Sequence, residues 1–299
     1  MNKSLSRKQF DILKYLEGES GGVTQRKLSN LTGMSLGSVN NTLASLNELG
    51  YVDNYSVTAS GLEALSPYKV KRAVFIAAGF GARLAPITLN TPKPLVRVNG
   101  VRIIDTLIDA VLAAGINEIV IVRGYLGEQF DQLLYKYPNI KFIENPDFNE
   151  CNNISSAMCA RYCLQNAYVL DADLIIKNPG LINRYEYRSN LLGVPVERTD
   201  DWCITADRNG YAENIAMGGI SGYREVGIFY LDSDDGSKMV EDLQSVYQSP
   251  GGRERLWEQV PLAYKKDNYK IEIRECSSDD FSEVDTLRDL RKIDPAYKF

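Results

Sequence analysis

The chain has 299 residues, of which 44% are hydrophobic and 24% charged, and its formal net charge is −5. This composition is typical of a globular protein, and the length allows one large domain or two smaller ones. The sequence contains no histidine, which excludes a Ser-His-Asp triad, any other imidazole base and a histidine metal site.

The sequence also predicts no membrane span and no structural role for its cysteines. No stretch approaches the roughly 18 apolar residues of a membrane span, and the first residues lack the pattern of a signal peptide. The five cysteines include no CxxC pair, so the sequence predicts neither a disulfide framework nor a zinc site. We therefore expect a cytoplasmic protein with no membrane partner, whose chemistry depends on carboxylates, Lys, Arg, Tyr, Cys or a carboxylate-bound cation.

The first predicted elements, within residues 1–66, are short helices followed by a hairpin. A first helix has apolar residues at helical spacing, and Thr24 and Gly33 are suited to begin and end a second helix. A third helix starts near Ser35, and its apolar positions are Val39, Leu43, Leu46 and Leu49. Gly50 ends this helix, and YVDNYSV predicts a small two-stranded wing with its turn near Asp-Asn.

The pattern TQRKLSNLTGMSLGSVNNTLASLNELGYV resembles the winged-helix modules of bacterial regulators. This resemblance implies duplex DNA as a partner, bound through the third helix. Residues 1–66 nevertheless hold six basic and six acidic residues, and SLGSVNNTLASLNELG has no Lys or Arg to contact phosphates. A domain kept for dimerisation or regulation is the alternative, and a homodimer would agree with it.

The rest of the chain, residues 73–299, follows a polar linker at 67–72 and alternates strands with helices. The predicted order is AVFIAA (strand), IIDTLIDAVLAAG (helix), EIVIVRG (strand), GEQFDQLLYKY (helix), IKFIE (strand), SSAMCARYCL (helix) and AYVLDADLII (strand). This order predicts an α/β fold with a doubly wound, mainly parallel sheet. From about residue 190 the pattern becomes β-rich, and helices are predicted near 235–248, 253–264 and 285–293.

The stretch FIAAGFGARLAPITLNTPKPL leaves the first strand of this block. Its spacing is Gly79-x-Gly81-x-Arg83 followed by Pro92-Lys93, which is neither a Walker A loop nor GxGxxG. Glycines let backbone N–H groups converge on phosphate oxygens, while Arg and Lys supply positive charge. The stretch predicts a phosphate-binding loop.

Three aspartates offer carboxylates for a hard cation. Asp171 and Asp173 are two residues apart in a predicted strand and so share a face, and Asp285 lies far downstream. Mg²⁺ takes one or two carboxylates and leaves the remaining positions to water and phosphate. As an alternative, Asp171 and Asp285 cap neighbouring helices or turns, Asp285 standing before TLRDLRKI.

AAGFGARLAPITLNTPKPL resembles the signature of nucleotidyltransferases that activate phosphorylated small molecules with an NTP, and is most similar to bacterial CTP:phosphocholine cytidylyltransferases. The resemblance covers residues 71–299 and includes GINEIVIVRGYLGEQFD, CNNISSAM, YVLDADLI and EVDTLRDL. It implies a Rossmann-like fold, Mg²⁺ as cofactor, and the reaction phosphocholine + CTP → CDP-choline + pyrophosphate.

The resemblance also implies roles for particular residues. Arg83, Lys93 and Asp173 would be catalytic, and Asp173 and Asp285 would bind the metal. The implied nucleotide-binding residues are Ala77, Ala78, Gly79, Phe80, Gly81, Gly124, Tyr125, Gln129, Asn153, Ser155 and Asp171. Gln129 as a solvated helix residue and Asn153 as a turn former are the alternatives.

The acceptor is harder to predict. A quaternary ammonium is held by aromatic faces and nearby carboxylates, and the candidates are Trp202, Tyr230, Trp257, Asp201 and Glu283. Tryptophan is, however, more often a core residue than part of such a cage. The primary ammonium of phosphoethanolamine or 2-aminoethylphosphonate would also suit these residues, and a sugar 1-phosphate is a further alternative.

A hypothesis from another class is a winged-helix transcriptional regulator whose α/β domain senses a nucleotide or phosphorylated ligand without converting it. The presence of Arg83, Lys93, Asp173 and Asp285 together argues for the enzyme.

Overall fold

The computed structural model describes residues 4–18 and 23–298, and the chain divides into two compact units. The first comprises Met1–Lys69 with Tyr185–Tyr187, and the second comprises Val70–Arg184 with Arg188–Phe299. The sequence pattern assigns 185–187 to the second domain. The structure groups this segment with the first unit because the ring of Tyr187 stacks on that of Tyr68, with centroids 5.4 Å apart and planes 9° from parallel.

The described part of the first unit contains four helices and a two-stranded wing. The elements are α1 (Arg7–Gly18), α2 (Gln25–Thr32), α3 (Leu36–Glu48), β1 (Val52–Asp53), β2 (Ser56–Val57) and α4 (Ala59–Leu65). Thr24 begins α2 by accepting a hydrogen bond from the Lys27 N–H, and Gly33 ends it at φ +68°. The wing turns through Asn54 and Tyr55, both at positive φ, as a tight hairpin requires. α4 is an element that the hairpin prediction for residues 1–66 missed.

The second unit has a central sheet with helices on both sides. Its helices are α5 (Ile103–Ala113), α6 (Ile154–Ala160), α7 (Ser233–Tyr247) and α8 (Leu287–Ile293). Its strands are β3 (Arg72–Ile76), β4 (Arg97–Val98), β5 (Val101–Arg102), β6 (Glu118–Arg123), β7 (Lys141–Glu144), β8 (Ala167–Asp171), β9 (Leu174–Ile176), β10 (Asn190–Ala206), β11 (Ala212–Leu231), β12 (Glu272–Glu275) and β13 (Phe281–Glu283).

The seven-stranded sheet has the order β12-β10-β11-β8-β3-β6-β7. All neighbouring strands run parallel except β11, which is antiparallel to both β8 and β10. The predicted doubly wound, mainly parallel fold is therefore confirmed. Because the chain moves from β3 first to β6 and β7 and later to β8, the strand order reverses beside β3, where such sheets bind ligands.

The register places the predicted chemistry at this position. Ile76, the last residue of β3, pairs with Asp171 of β8 on one side and with Val122 of β6 on the other. The glycine-rich loop therefore leaves the sheet beside the Asp171-Ala172-Asp173 segment.

Several predicted elements differ in the structure. Residues 127–135 form a 3-10 helix, and the predicted helix at 253–264 is a 3-10 turn at 252–254 and a short π-helix at 260–264. The predicted strand at 167–176 divides into β8 and β9. The predicted linker is short and structured, since Val70 is buried and β3 begins at Arg72. Among the described residues, no helix combines the length and apolar character that a membrane crossing requires.

Candidate active site

A cleft of about 330 Å³ opens at the carboxyl ends of β3, β7 and β8. Ten residues that the sequence analysis proposed for nucleotide, metal or catalysis line it: Ala77, Ala78, Gly79, Gly81, Arg83, Lys93, Asn153, Ser155, Asp171 and Asp173. The backbone of the loop and the acidic segment after β8 thus face one space.

The two glycines of the loop have different structural roles. Gly81 adopts φ +67°, and a Cβ there would lie 3.0 Å from Lys93 Cβ and 3.3 Å from Thr88 Cγ2. The Thr88 hydroxyl donates to the Gly81 carbonyl at 3.0 Å and holds this approach. At Gly79 no described atom lies within 4 Å of the corresponding position. Gly81 therefore lets the loop pack on the Lys93 side chain, while Gly79 leaves the backbone open to the cleft.

Lys93 joins the loop to the acidic residues. Its Nζ donates to Asp173 Oδ2 at 2.7 Å and to Asp285 Oδ1 at 2.9 Å. Arg83 Nη2 donates to the same Asp285 oxygen at 2.9 Å, although 68% of the Arg83 side chain is exposed. Burial alone would lower the pKa of Lys93, but the carboxylates of Asp173 and Asp285 outweigh burial and the net shift is upward. Lys93 is thus a fixed positive charge at the cleft.

Asp173, Glu283 and Asp285 form a carboxylate cluster, in which one oxygen from each residue lies within 4.8 Å of the others. Burial, followed by repulsion from Asp173 and Asp285, raises the pKa of Glu283 to about 8, and Arg224 Nη1 lies 3.0 Å from Glu283 Oε2. Three converging carboxylate oxygens are a hard donor set that fits Mg²⁺. Glu283, which the sequence analysis proposed for the acceptor, therefore lies beside the proposed metal ligands.

The structure separates the two roles proposed for Asp285. The cap of α8 is Thr286, whose hydroxyl accepts from the Asp289 N–H at 3.2 Å, while the Asp289 carboxylate accepts from the Thr286 N–H at 3.0 Å. The prediction that Asp285 caps this helix is wrong by one residue. Because Thr286 supplies the cap, the Asp285 carboxylate is available to Lys93 and Arg83.

Asp171 ends β8 and lies among other acids. Burial, then repulsion from Glu258 and Asp173, raises the pKa of Asp171 well above its ordinary value. Burial also raises the pKa of Glu225 to about 7, and that of Glu258 to about 8. Asp171, which lines the cleft, therefore lies within a group of acidic residues.

Tyr125 and Gln129 support the loop. The Tyr125 hydroxyl lies 2.9 Å from the Thr88 carbonyl oxygen and 3.0 Å from that of Leu89, and it has one proton to donate to them. Gln129 Nε2 donates to the Asn90 carbonyl at 3.0 Å. The half-exposed ring of Phe80 stands edge-on to Tyr125, with centroids 4.5 Å apart. Gln129 is therefore bound to the loop and is not a freely solvated residue.

Asn153 and Ser155 are also engaged. Asn153 Oδ1 accepts from the backbone N–H of Trp257 at 2.9 Å, and Asn153 Nδ2 donates to Glu258 Oε1 at 3.2 Å. Ser155 Oγ accepts from Asn145 Nδ2 at 2.9 Å and donates to the Asn152 carbonyl at 2.9 Å. These bonds fix the wall of the cleft formed by the start of α6.

Two of the three aromatic residues proposed for the acceptor do not have an open face. Tyr230 and Trp257 are each 1% exposed, and they belong to the hydrophobic cores on opposite sides of the sheet. The Tyr230 ring packs on Tyr168, and the Trp257 ring packs on Phe229. These two assignments are corrected, since neither ring is available to a ligand. Trp202, the third, is half-buried beside Asp201, whose carboxylate accepts from the Trp202 N–H at 2.8 Å.

Other residues at the cleft were not among the predicted ones. Phe148 and Asn145 line the cleft, and Glu225 and Glu258 lie close enough to Asp171 to raise its pKa. Phe148 packs closely against Gly124, since a Cβ at Gly124 would lie 2.7 Å from Phe148. A glycine after β6 signals such a close approach but does not say which residue makes it.

Comparison with known proteins finds a family model that matches part of each unit. Residues 72–187 match the family "Nucleotidyl transferase", and residues 3–57 match the "MarR family". The 2-aminoethylphosphonate cytidylyltransferase of Lancefieldella rimae is 32% identical over 230 residues, which cover 76% of this chain and 93% of the relative. This chain belongs to the cytidylyltransferases.

The cytidylyltransferase has further relatives of the same kind. The choline-phosphate cytidylyltransferase of Streptococcus pneumoniae is 32% identical over 76% of this chain and 98% of the relative. A solved structure of the CTP:phosphocholine cytidylyltransferase from Streptococcus pneumoniae superposes with a TM-score of 0.70 at 29% identity, covering 76% of this chain and 99% of that one. The resemblance found in the sequence is thus confirmed at the level of the family, and the MarR-like match at 3–57 does not overlap the nucleotidyl transferase match at 72–187.

Proposed function

We propose that this cytidylyltransferase transfers CMP from CTP to a small phosphate or phosphonate that carries an ammonium group, and releases pyrophosphate. The observation that carries the proposal is the position of Lys93 Nζ, 2.7 Å from Asp173 and 2.9 Å from Asp285, beneath the glycine-rich loop. It unites the three requirements of nucleotidyl transfer, namely a phosphate cradle, a fixed cation and carboxylates for a metal ion.

In this proposal an oxygen of the acceptor phosphate or phosphonate attacks the α-phosphorus of CTP, and the bond from that phosphorus to the pyrophosphate oxygen breaks. The backbone from Gly79 to Arg83 orients the triphosphate, and Lys93 balances charge at the α-phosphate. Mg²⁺, held by Asp173 and Asp285 with Glu283 beside them, would stabilise the charge that develops on the leaving pyrophosphate. The attacking oxygen is already anionic, so no protein base is required, in agreement with the lack of histidine.

Phosphocholine and 2-aminoethylphosphonate are the two acceptors to compare, since relatives with each name align with this chain. A trimethylammonium group cannot donate hydrogen bonds and depends on aromatic faces, whereas a primary ammonium donates three to carboxylates. Tyr230 and Trp257 are buried, and so is Glu258. Of the three candidate aromatic rings, Trp202 alone keeps part of its surface exposed, whereas Asp171, Asp201 and Glu225 are partly exposed acids. This balance favours a primary ammonium acceptor over phosphocholine.

The test is a pyrophosphate-release assay that crosses four NTPs with phosphocholine, phosphoethanolamine, 2-aminoethylphosphonate and a hexose 1-phosphate. We expect turnover with CTP and an aminoalkyl acceptor, and its loss in Asp173→Asn. The matched control is Asp109→Asn, which removes a carboxylate paired with Lys136 outside the cleft. Turnover with the hexose 1-phosphate alone would contradict the proposed acceptor class, and full activity of Asp173→Asn would contradict the mechanism.

We also propose that the MarR-like unit binds duplex DNA through α3. The exposed positions of this helix include Asn40, Asn41 and Asn47, and amide side chains pair with adenine edges in the major groove. α3 itself contains no Lys or Arg, so affinity should depend weakly on salt compared with a basic recognition helix.

A gel-shift assay with DNA from upstream of the protein's own coding region tests this second function. We expect a shift that Asn40→Ala and Asn41→Ala weaken together, while Asn209→Ala in the second unit leaves it unchanged. Absence of any shift at low salt would contradict DNA binding.

A further inference from the structure

The two cations of the loop hold the same oxygen of a proposed metal ligand. Lys93 Nζ and Arg83 Nη2 both donate to Asp285 Oδ1 at 2.9 Å. Lys93 also donates to Asp173 Oδ2 at 2.7 Å. The loop that would bind the triphosphate is therefore ion-paired with both carboxylates that would bind the metal.

These ion pairs compete with metal binding. The lone pairs of Asp173 Oδ2 and Asp285 Oδ1 that face Lys93 are not free to face a divalent cation. A divalent cation beside the Lys93 ammonium is also repelled, and at a partly buried site such repulsion is only weakly screened. Lys93 is 9% exposed, so it cannot move far into water without losing its packing against Gly81.

A triphosphate removes this competition because it offers Lys93 and Arg83 anionic oxygens of its own. Arg83 is largely exposed and free to turn toward such a group. Resting on the proposed function, we propose that Lys93 and Arg83 act as a latch on the metal ligands Asp173 and Asp285, so that nucleotide and metal bind with positive coupling through the protein. Because coupling between two sites is reciprocal, each ligand raises the affinity for the other by the same factor.

The decisive measurement is Mn²⁺ binding to the full chain, followed by the EPR signal of free Mn²⁺, first without nucleotide. Lys93→Met should bind Mn²⁺ more tightly than the unsubstituted protein, by roughly 5–150-fold, the usual range of such coupling. Arg83→Gln should shift affinity in the same direction by a smaller factor, because Lys93 still holds both carboxylates. Lys136→Met, which removes a 2.8 Å ion pair with Asp109, is the matched control and should not change affinity.

With saturating CTP the order should reverse, and the unsubstituted protein should bind Mn²⁺ more tightly than Lys93→Met. If Lys93 only bound phosphate, Lys93→Met would weaken Mn²⁺ binding in the presence of CTP and leave it unchanged without CTP. Equal or weaker Mn²⁺ binding by nucleotide-free Lys93→Met and Arg83→Gln, with circular dichroism showing both folded, overturns the latch. The proposed acceptor class is untouched by that result, because neither measurement includes an acceptor or turnover.

Discussion

Gly227 lies against the carboxyl group of Asp171, so that a Cβ at Gly227 would be 2.7 Å from Asp171 Oδ2 and 2.8 Å from its Cβ. Gly227 also adopts φ +79°. β11 can therefore pass beside the end of β8 only with glycine at this position. The relationship ties the acidic side of the cleft to a backbone conformation that a side chain disfavours.

Gly227→Ala should lower both stability and activity. The left-handed conformation costs about 1 kcal/mol for alanine, and the collision with Asp171 adds roughly 1–3 kcal/mol. Gly210→Ala is the matched control, because Gly210 has φ +82° but no described atom within 4 Å of the added Cβ. Thermal unfolding and kcat measure both effects, and equal losses in the two variants would show that the contact with Asp171 is unimportant.

Thr286→Ala should destabilise α8 by about 1 kcal/mol and raise the Mg²⁺ concentration needed for half-maximal turnover. The reason is that the cap formed by Thr286 and Asp289 fixes the residue directly after Asp285. Thr24→Ala removes the corresponding cap of α2, where Thr24 accepts from the Lys27 N–H at 3.2 Å. Thr24→Ala should lower the unfolding temperature without changing the Mg²⁺ concentration needed for half-maximal turnover. If Thr286→Ala also left that concentration unchanged, the cap would not position Asp285.

Tyr125→Phe should raise the KM for CTP. The substitution leaves the carbonyls of Thr88 and Leu89 without the hydroxyl that now bridges them. At about 1 kcal/mol for a hydrogen bond, we expect roughly a fivefold increase. Tyr297→Phe, which removes a bond to the Arg97 carbonyl at 2.7 Å, should leave KM unchanged. A KM for Tyr125→Phe equal to that of the control would mean that the loop keeps its position without this tether.

The stability of the protein should depend on pH through Glu258. Burial, followed by repulsion from Glu225, raises its pKa from the ordinary 4.5 to about 8. Between these two values the folded protein keeps a proton that the unfolded chain releases, so the free energy of unfolding falls as pH rises through this window. Above about pH 8 both states are ionised and this effect levels off.

Glu258→Gln removes this penalty while keeping an oxygen that accepts from Asn153. Its free energy of unfolding relative to the unsubstituted protein should therefore rise between pH 5 and pH 8, by an amount on the order of a few kcal/mol. Urea unfolding at both pH values measures this difference, with the exposed Glu254→Gln as control. A difference that stays constant over this range would contradict the raised pKa.

The parts of the fold that follow from local patterns were predictable. Thr24 and Gly33 mark the ends of α2 through capping chemistry, and the order of strands and helices predicts the parallel sheet. The meeting of Lys93 with Asp173 was also within reach, because both follow strands whose carboxyl ends share one edge.

The rest depended on tertiary packing that one sequence does not reveal. The rings of Tyr230 in β11 and of Trp257 in a turn are buried. Nothing in GIFYLD or RERLWEQ indicates which face of the segment is inward. Glu225 is separated by long stretches of chain from Asp171, and only the return of β11 beside β8 brings the two acids together. These residues lie in irregular or late-pairing segments, where periodicity carries little information.

The segment Tyr185–Tyr187 has a consequence for synthesis of the protein. Tyr185 is 5% exposed in the same core as Phe10 and Leu13, and Tyr187 packs on Phe10 with ring centroids 5.2 Å apart. A ribosome that has finished Lys69 has therefore not yet made all the aromatic residues of the first unit. Although it lies at the amino terminus, this unit can complete its core only after β3 to β9 have been translated. A graft of the regulator-like unit onto another enzyme would have to carry these three late residues with it.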